Sequence, residues 1–292
     1  MMKQTSVRMV VLGVAAVVAS ATQTGTMFGQ DKPLGSAFTT ELTAVWTAGN
    51  AKINTFGVDA QYTYLWERAE AKLQGGAVRS QTTFTTRSAL GTSQDDFTLT
   101  ETQDTEKTAE AFYARGRYDY QFSDLFYGFG GTDWLRNTFS GIESRMLLAV
   151  GAGNIWVNSE RAKFKTDYSA TYTFQQDVVE NPFVKSNFPG VRFSYDLWTR
   201  LTSSTEFLSV LVGDLNLDDT DDLRFDVVNA LPVAISARLQ FKPSLQLMWR
   251  NRPSLTEVAL TPPAGQTADT PTVTIPLQKL DSIFKVALVV KF

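Results

Sequence analysis

From residue 38 onward, apolar and polar residues alternate along the chain with a period of two. Phe56, Val58, Ala60, Tyr62, Tyr64 and Trp66 alternate with Thr55, Asp59, Gln61 and Thr63. In "RAKFKTDYSATYTF", Phe164, Tyr168, Ala170, Tyr172 and Phe174 oppose Lys163, Lys165, Asp167, Ser169 and Thr171. Alternation of this kind marks a β-strand with one apolar and one polar face. It predicts twelve strands, at 38–48, 53–66, 69–84, 108–122, 125–138, 143–157, 161–174, 188–202, 205–215, 222–235, 238–251 and 278–292. Pro232 and Pro243 fall inside two of them, where proline removes a ladder donor. The alternation is weakest in 125–138 and 205–215, where both faces are apolar or small.

The joints alternate as well. Short polar pairs (Glu67-Arg68, Ser123-Asp124, Asn158-Ser159, Ser203-Ser204, Ser236-Ala237) predict tight hairpin turns. Between them come longer connections at 49–52, 85–105, 140–142, 175–187, 216–221 and 252–277. Short turns at one end and longer loops at the other are expected of an all-β, antiparallel up-and-down transmembrane barrel. An even strand number fits that architecture.

Aromatic placement supports the same fold. Tyr64, Trp66, Tyr120, Phe122 and Tyr127 are predicted at the rim beside the tight turns, and Trp46, Phe56, Tyr172, Phe174 and Trp249 at the other. Two aromatic girdles are expected at the two water–lipid interfaces. The last stretch, "SIFKVALVVKF", puts Phe284, Val286, Leu288, Val290 and Phe292 on one face. It reads as the closing strand. The opening stretch has a basic n-region at Lys3 and Arg8, a short apolar run from Met9 to Val18, and Ala19-Ser20-Ala21 as an exit. This is the pattern of a secretory signal peptide. The expected plan is therefore a signal peptide over 1–21, a periplasmic lead over 22–37 and an outer-membrane barrel over 38–292.

Composition narrows the chemistry. An apolar fraction of 43% looks soluble, but alternating lipid-facing and lumen-facing residues dilute the average in a barrel. The net charge of −3 gives no reason to expect nucleic acid. The chain has no Cys and no His, which removes thiolate metal sites, Cys nucleophiles, the commonest general base and the usual zinc ligand. No catalytic residue, metal site or cofactor is predicted, and an enzyme is not expected.

"TAVWTAGNAKINTFGVDAQYTY", "ARGRYDYQFSDLFYGF", "SGIESRMLLAVGAGN" and "LQLMWRNRP" together resemble a bacterial family of unknown function whose members are called salt-induced outer-membrane proteins. The matching features are Gly49-Asn50, Tyr118-Asp119-Tyr120, Gly141-Ile142 and Gly151-x-Gly153, in order and spacing. The resemblance covers 38–292 and implies an outer-membrane β-barrel. A terminal Phe after alternating apolar residues also resembles the signal read by the barrel-assembly machinery, which makes Phe292 its candidate and that machinery a partner in biogenesis. Outer-membrane lipid and lipopolysaccharide are the other expected partners.

The alternation assigns the lumen-facing charges. The bases are Arg115, Arg117, Arg145, Lys163, Lys165, Arg192, Arg200, Arg224, Arg238, Lys242, Arg250 and Lys285. The acids are Glu41, Asp59, Glu70, Asp119, Asp167, Asp196, Asp226 and Asp281. Two readings follow: a narrow pore favouring anions, since rings of Arg and Lys select them, or a lumen cross-braced by ion pairs. The connections "SQDDFTLTETQDTE" and "GDLNLDDTDDL" are acidic. Carboxylates are hard-cation ligands, but the spacing lacks the Gly and distal Glu of a calcium loop, so solvated charge is expected there.

Overall fold

The computed structural model describes residues 34–46, 52–93, 96–182, 184–259 and 272–291. The strands are β1 (Gly35–Trp46), β2 (Lys52–Leu65), β3 (Ala69–Ser93), β4 (Asp96–Ser123), β5 (Phe126–Asn137), β6 (Ile142–Asn158), β7 (Ala162–Asp177), β8 (Asn187–Arg200), β9 (Glu206–Asn216), β10 (Leu223–Ala230), β11 (Val233–Ala234), β12 (Leu239–Arg250), β13 (Leu255–Ala259), β14 (Thr272–Pro276) and β15 (Leu280–Lys291). From β1 to β10 each strand pairs antiparallel with the next. β1 pairs with β15, β15 with β12, and β12 with β10, which closes the sheet into a barrel. Of its thirteen strands, β10 and β11 are two pieces of one stave, so the barrel has twelve staves. The twelve predicted strands correspond to them one for one.

Both prolines sit at the break between those pieces. Leu231 N donates to Pro243 O, so the donor that Pro243 lacks faces the gap at Leu231-Pro232, while Pro232 O accepts from Glu206 N. The predicted single strand over 222–235 is thus corrected to two. Two predicted loops are corrected as well. Residues 85–105 lie almost wholly in β3 and β4, which run on as a paired hairpin to Ser93 and Asp96. This extension is rich in Thr, which favours strands, but it outreaches its neighbours, so no lumen imposes polar–apolar alternation on it. Within 252–277, β13 and β14 form a second hairpin. The first strand begins at Gly35, three residues before the predicted start.

The residue distribution is inverted relative to a soluble protein. On β15, Phe284 is 72% exposed while Lys285 beside it is 8% exposed. Leu42, Leu73, Val150, Phe193, Phe241 and Leu288 also point outward and are exposed. Glu41, Asp59, Lys72, Asp167 and Lys242 are buried inside. Apolar side chains outside and charges inside are what a bilayer demands of a closed barrel. The chain forms a transmembrane antiparallel up-and-down β-barrel.

At the end of the tight turns, Tyr64 packs on Trp66, and Trp66 on Tyr118. Tyr120, Phe122 and Phe126 form a second run there. At the loop end, Tyr172 pairs with Phe174 and Phe225 with Trp249. The side chain of Trp46 lies outside the described residues, as do Phe292 and the whole of 1–33. Tyr127 is a correction: it points into the lumen, 2% exposed, because its hydroxyl has a carboxylate to meet there.

Candidate functional site in the barrel lumen

The odd positions of β4 project inward and carry Tyr113, Arg115, Arg117 and Asp119 in succession. Arg117 donates to Asp119 on its own strand at 2.7 to 3.1 Å and to Asp167 on β7 at 2.8 Å. Since β5 and β6 stand between β4 and β7 in the wall, the second bond crosses the interior. Tyr127 also donates to Asp167, and the Arg117 guanidinium lies 3.9 Å from the Phe129 ring centroid. Tyr127, Phe129, Leu65 and Ile155 form an apolar cluster at the turn end. Nearby, Lys165 is 3.9 Å from Asp196 and Lys72 is 3.4 Å from Glu70.

Two further braces span the middle. Arg192 on β8 grips Asp214 on β9 through two nitrogens, at 2.6 and 3.0 Å. Its third nitrogen reaches Asp133 on β5 at 2.7 Å, with Arg115 3.8 Å from the same carboxylate. The other brace starts from two acids directly opposite each other in the β1–β2 register, Glu41 and Asp59. Lys242 bonds Glu41, Lys285 bonds Asp59 and lies 3.6 Å from Glu41, and Tyr113 donates to Asp59 at 2.7 Å. Buried ions demand such partners, because stripping their water costs several kcal/mol each.

The loop end is closed differently. Val78, Ala111, Tyr113, Leu135, Ile142, Met248 and Ile283 form a second apolar cluster, with Ile142 wholly buried. A 3-10 turn over Thr138–Ser140 precedes it, stopped by Gly141 at φ 77°. A β-carbon on Gly141 would meet the Ser254 side chain at 2.4 Å, so only glycine allows this turn to pack against the β12–β13 connection. Arg224 holds Asp222 through two nitrogens at 2.7 and 2.8 Å and reaches Gln175 at 3.1 Å. Burial alone would push the Asp222 carboxyl up, but Arg224, aided by Asn216, holds it below the usual carboxylate range. Asp226 takes both its hydrogen bonds from Gln246. Arg145 and Arg250 make no hydrogen bond or ion pair through their side chains among the described residues. Between the two ends lies a cavity of about 160 Å³, lined by six arginines (115, 117, 145, 192, 224 and 250) and four aspartates (133, 167, 214 and 226).

Other predicted inward residues lie near the rims. Lys163 stands near the Trp198 ring at the turn end, as does Arg200. Asp281 is at the loop end, opposite Met248. Arg238 is a correction: it lies in the exposed turn before β12, where the alternation has already ended. Three acids on the loop turn before β10 are paired with bases, Asp219 and Asp221 with Arg252 and Asp218 with Lys185. Sequence reasoning missed Asp133, Asp214 and Asp222, the counter-charges of Arg192 and Arg224. The first two sit on the strands whose alternation was weakest. Tyr113 and Tyr127 were missed as polar groups because an aromatic ring reads as apolar.

A family model described as "Protein of unknown function, DUF481" matches residues 40–258. The chain belongs to this family. The resemblance read from the sequence is thereby borne out. The family member is also similar to "Uncharacterized protein YdiY" of Escherichia coli (strain K12), 23% identical over 220 residues, 70% of this chain and 71% of that one. Among solved structures it is similar to the NanC porin, with a TM-score of 0.45 and 9% identity over 88% of this chain and 100% of that chain. It is likewise similar to the translocator domain of autotransporter NalP from Neisseria meningitidis, with a TM-score of 0.42 and 11% identity over 90% of each chain.

Proposed function

We propose that this protein is a non-enzymatic component of the bacterial outer membrane, exported through a cleaved signal peptide, that serves envelope integrity under osmotic or salt stress. Its lumen is closed by ion pairs rather than held open for transport. The observation that carries the reading is the pair of arginine braces across the interior, Arg117 to Asp167 and Arg192 to Asp133. Each guanidinium is also held by a second carboxylate, so neither is free to swing aside. Twelve strands lie between a barrel that side chains fill and one that leaves an aqueous channel, and here the braces and two apolar clusters occupy the bore. The stress role follows the resemblance to salt-induced outer-membrane proteins read from the sequence. Lipid and lipopolysaccharide are its standing contacts, and the barrel-assembly machinery its partner in biogenesis.

A second reading, a narrow anion-preferring pore, is supported by the excess of arginine over aspartate around the cavity. Planar-bilayer conductance of the refolded barrel separates the two. Silence from protein shown to be folded, together with a leaky envelope in a deletion strain, is the expected result. Stable steps whose reversal potential across a salt gradient reports anion preference would establish the pore instead.

A further inference from the structure

The inner wall carries several cross-strand pairs of like charge. Glu70–Asp119 and Lys72–Arg117 lie side by side and offset each other, while two further pairs are treated differently. Like charges directly opposite each other on one face destabilise a sheet. Glu41 and Asp59 are such a pair, and Lys242 and Lys285 neutralise them. Arg224 and Arg250 are the other, directly opposite in the β10–β12 register. Arg145 stands near enough to be repelled by both, with Asp214 near enough to attract it. The carboxylates of this neighbourhood are engaged elsewhere: Asp222 with Arg224 and Asn216, Asp214 with Arg192, Asp226 with Gln246, Asp177 with Gln175. Asp281 lies near Arg250 without bonding it among the described residues. Three guanidiniums therefore converge with one carboxylate bonded to them among the described residues, and all three line the cavity. Arg224 and Arg250 also line a small recess shared with the loop-end residues Asn181, Val184 and Arg252.

We infer that Arg145, Arg224 and Arg250 form a binding site for a multivalent oxyanion, a phosphate group above all, in the loop half of the lumen. A guanidinium presents a planar fork of donors that matches phosphate oxygens two at a time. A cavity of about 160 Å³ has room for such a group with some water, since one water takes roughly 30 Å³. A doubly charged oxyanion supplies what Lys242 and Lys285 supply to the acidic pair. The site rests on the barrel fold and on neither reading of conduction, so conductance and binding fail or succeed independently.

The test is thermal unfolding of the refolded full-length barrel in dodecyl maltoside, with inorganic phosphate replacing chloride at constant ionic strength and pH 7. Wild type should show a saturable rise in midpoint. Arg145→Gln and Arg250→Gln should each weaken the apparent affinity about tenfold or more, as loss of a charged hydrogen bond implies. Arg68→Gln, in an exposed turn, should leave it unchanged. Without phosphate, both lumen variants should melt at or above wild type, because each removes a repelled charge. A parallel arm adds short-chain phosphatidic acid to phosphate-free micelles. A shift there alone would uphold the chemistry and make a lipid headgroup the source. The inference is overturned by no saturable shift in either arm, by an equal shift in all four proteins, or by lumen variants that unfold more readily without phosphate.

Discussion

The wall around Glu41 and Asp59 and the wall around Arg224 and Arg250 pose the same electrostatic problem with opposite sign. On the acidic side the remedy is supplied by the chain itself: two lysines on β12 and β15 reach across, and a tyrosine adds a hydrogen bond. On the basic side the chain provides Asp222 for one arginine and nothing bonded for the other among the described residues. A buried cluster left in charge excess costs free energy, and that cost is recovered only if an ion arrives from outside. The first wall is finished by its sequence. The second is built to be completed.

The comparison breaks first at Lys242. Lys242→Ala leaves Glu41 buried beside Asp59 without its closest partner, and breaking such a pair should cost about 3–5 kcal/mol in urea unfolding from vesicles. A cost below about 1 kcal/mol would mean that water already reaches the acidic wall. Leu288→Arg comes next. It places a cation on the outward face of the strand whose inward face holds Lys285, and at mid-bilayer this should cost about 2–4 kcal/mol and lower the folded yield. Assembly equal to wild type would show that the inside and outside of β15 are misassigned.

Gly151→Ala strikes the β6–β7 seam, which carries Arg145 on one strand and Asp167 on the other. The added carbon would lie 2.1 Å from the Tyr168 carbonyl oxygen, and forcing the strands apart should cost about 1–3 kcal/mol. Equilibrium unfolding of this variant measures how rigidly the two halves are joined. The smallest effect has the opposite sign. Arg250→Gln, without multivalent anions, should be neutral or stabilising by about 0.2–1 kcal/mol, the worth of one cross-strand repulsion. A clear loss of stability would show the basic wall to be as finished as the acidic one.

Much of this was legible in the chain. Alternation located every stave and put Arg117, Asp119, Lys165, Asp167 and Asp196 on one face, because a period of two leaves a strand only two sides. It failed where the two-sided environment ends. The β3–β4 extension outruns the neighbouring strands, so its Thr-rich faces carry no contrast and it reads as a loop. In β5 glycine falls on both faces (Gly128, Gly130 and Gly131) and in β9 leucine does (Leu208 and Leu211), so the contrast is weak, and Asp133 and Asp214 were overlooked there. Tyr127 misled for a different reason: its ring suits a membrane rim and a packed lumen equally, and only the position of Asp167 decides between them.

The sequence by itself determined the architecture: a closed antiparallel barrel, apolar outward and charged inward, with short turns at one end. Alternation and turn chemistry suffice, because each acts between residues close in the chain. Which charges meet was decided only by the tertiary structure. The Arg117–Asp167 bond joins residues 50 positions apart, and the Lys285–Asp59 bond residues 226 apart. Such partners depend on how the strands close and how far each side chain reaches across the bore. That geometry also leaves Arg145 and Arg250 facing a cavity without an acid bonded to them among the described residues, a property of the closed barrel that no single strand contains.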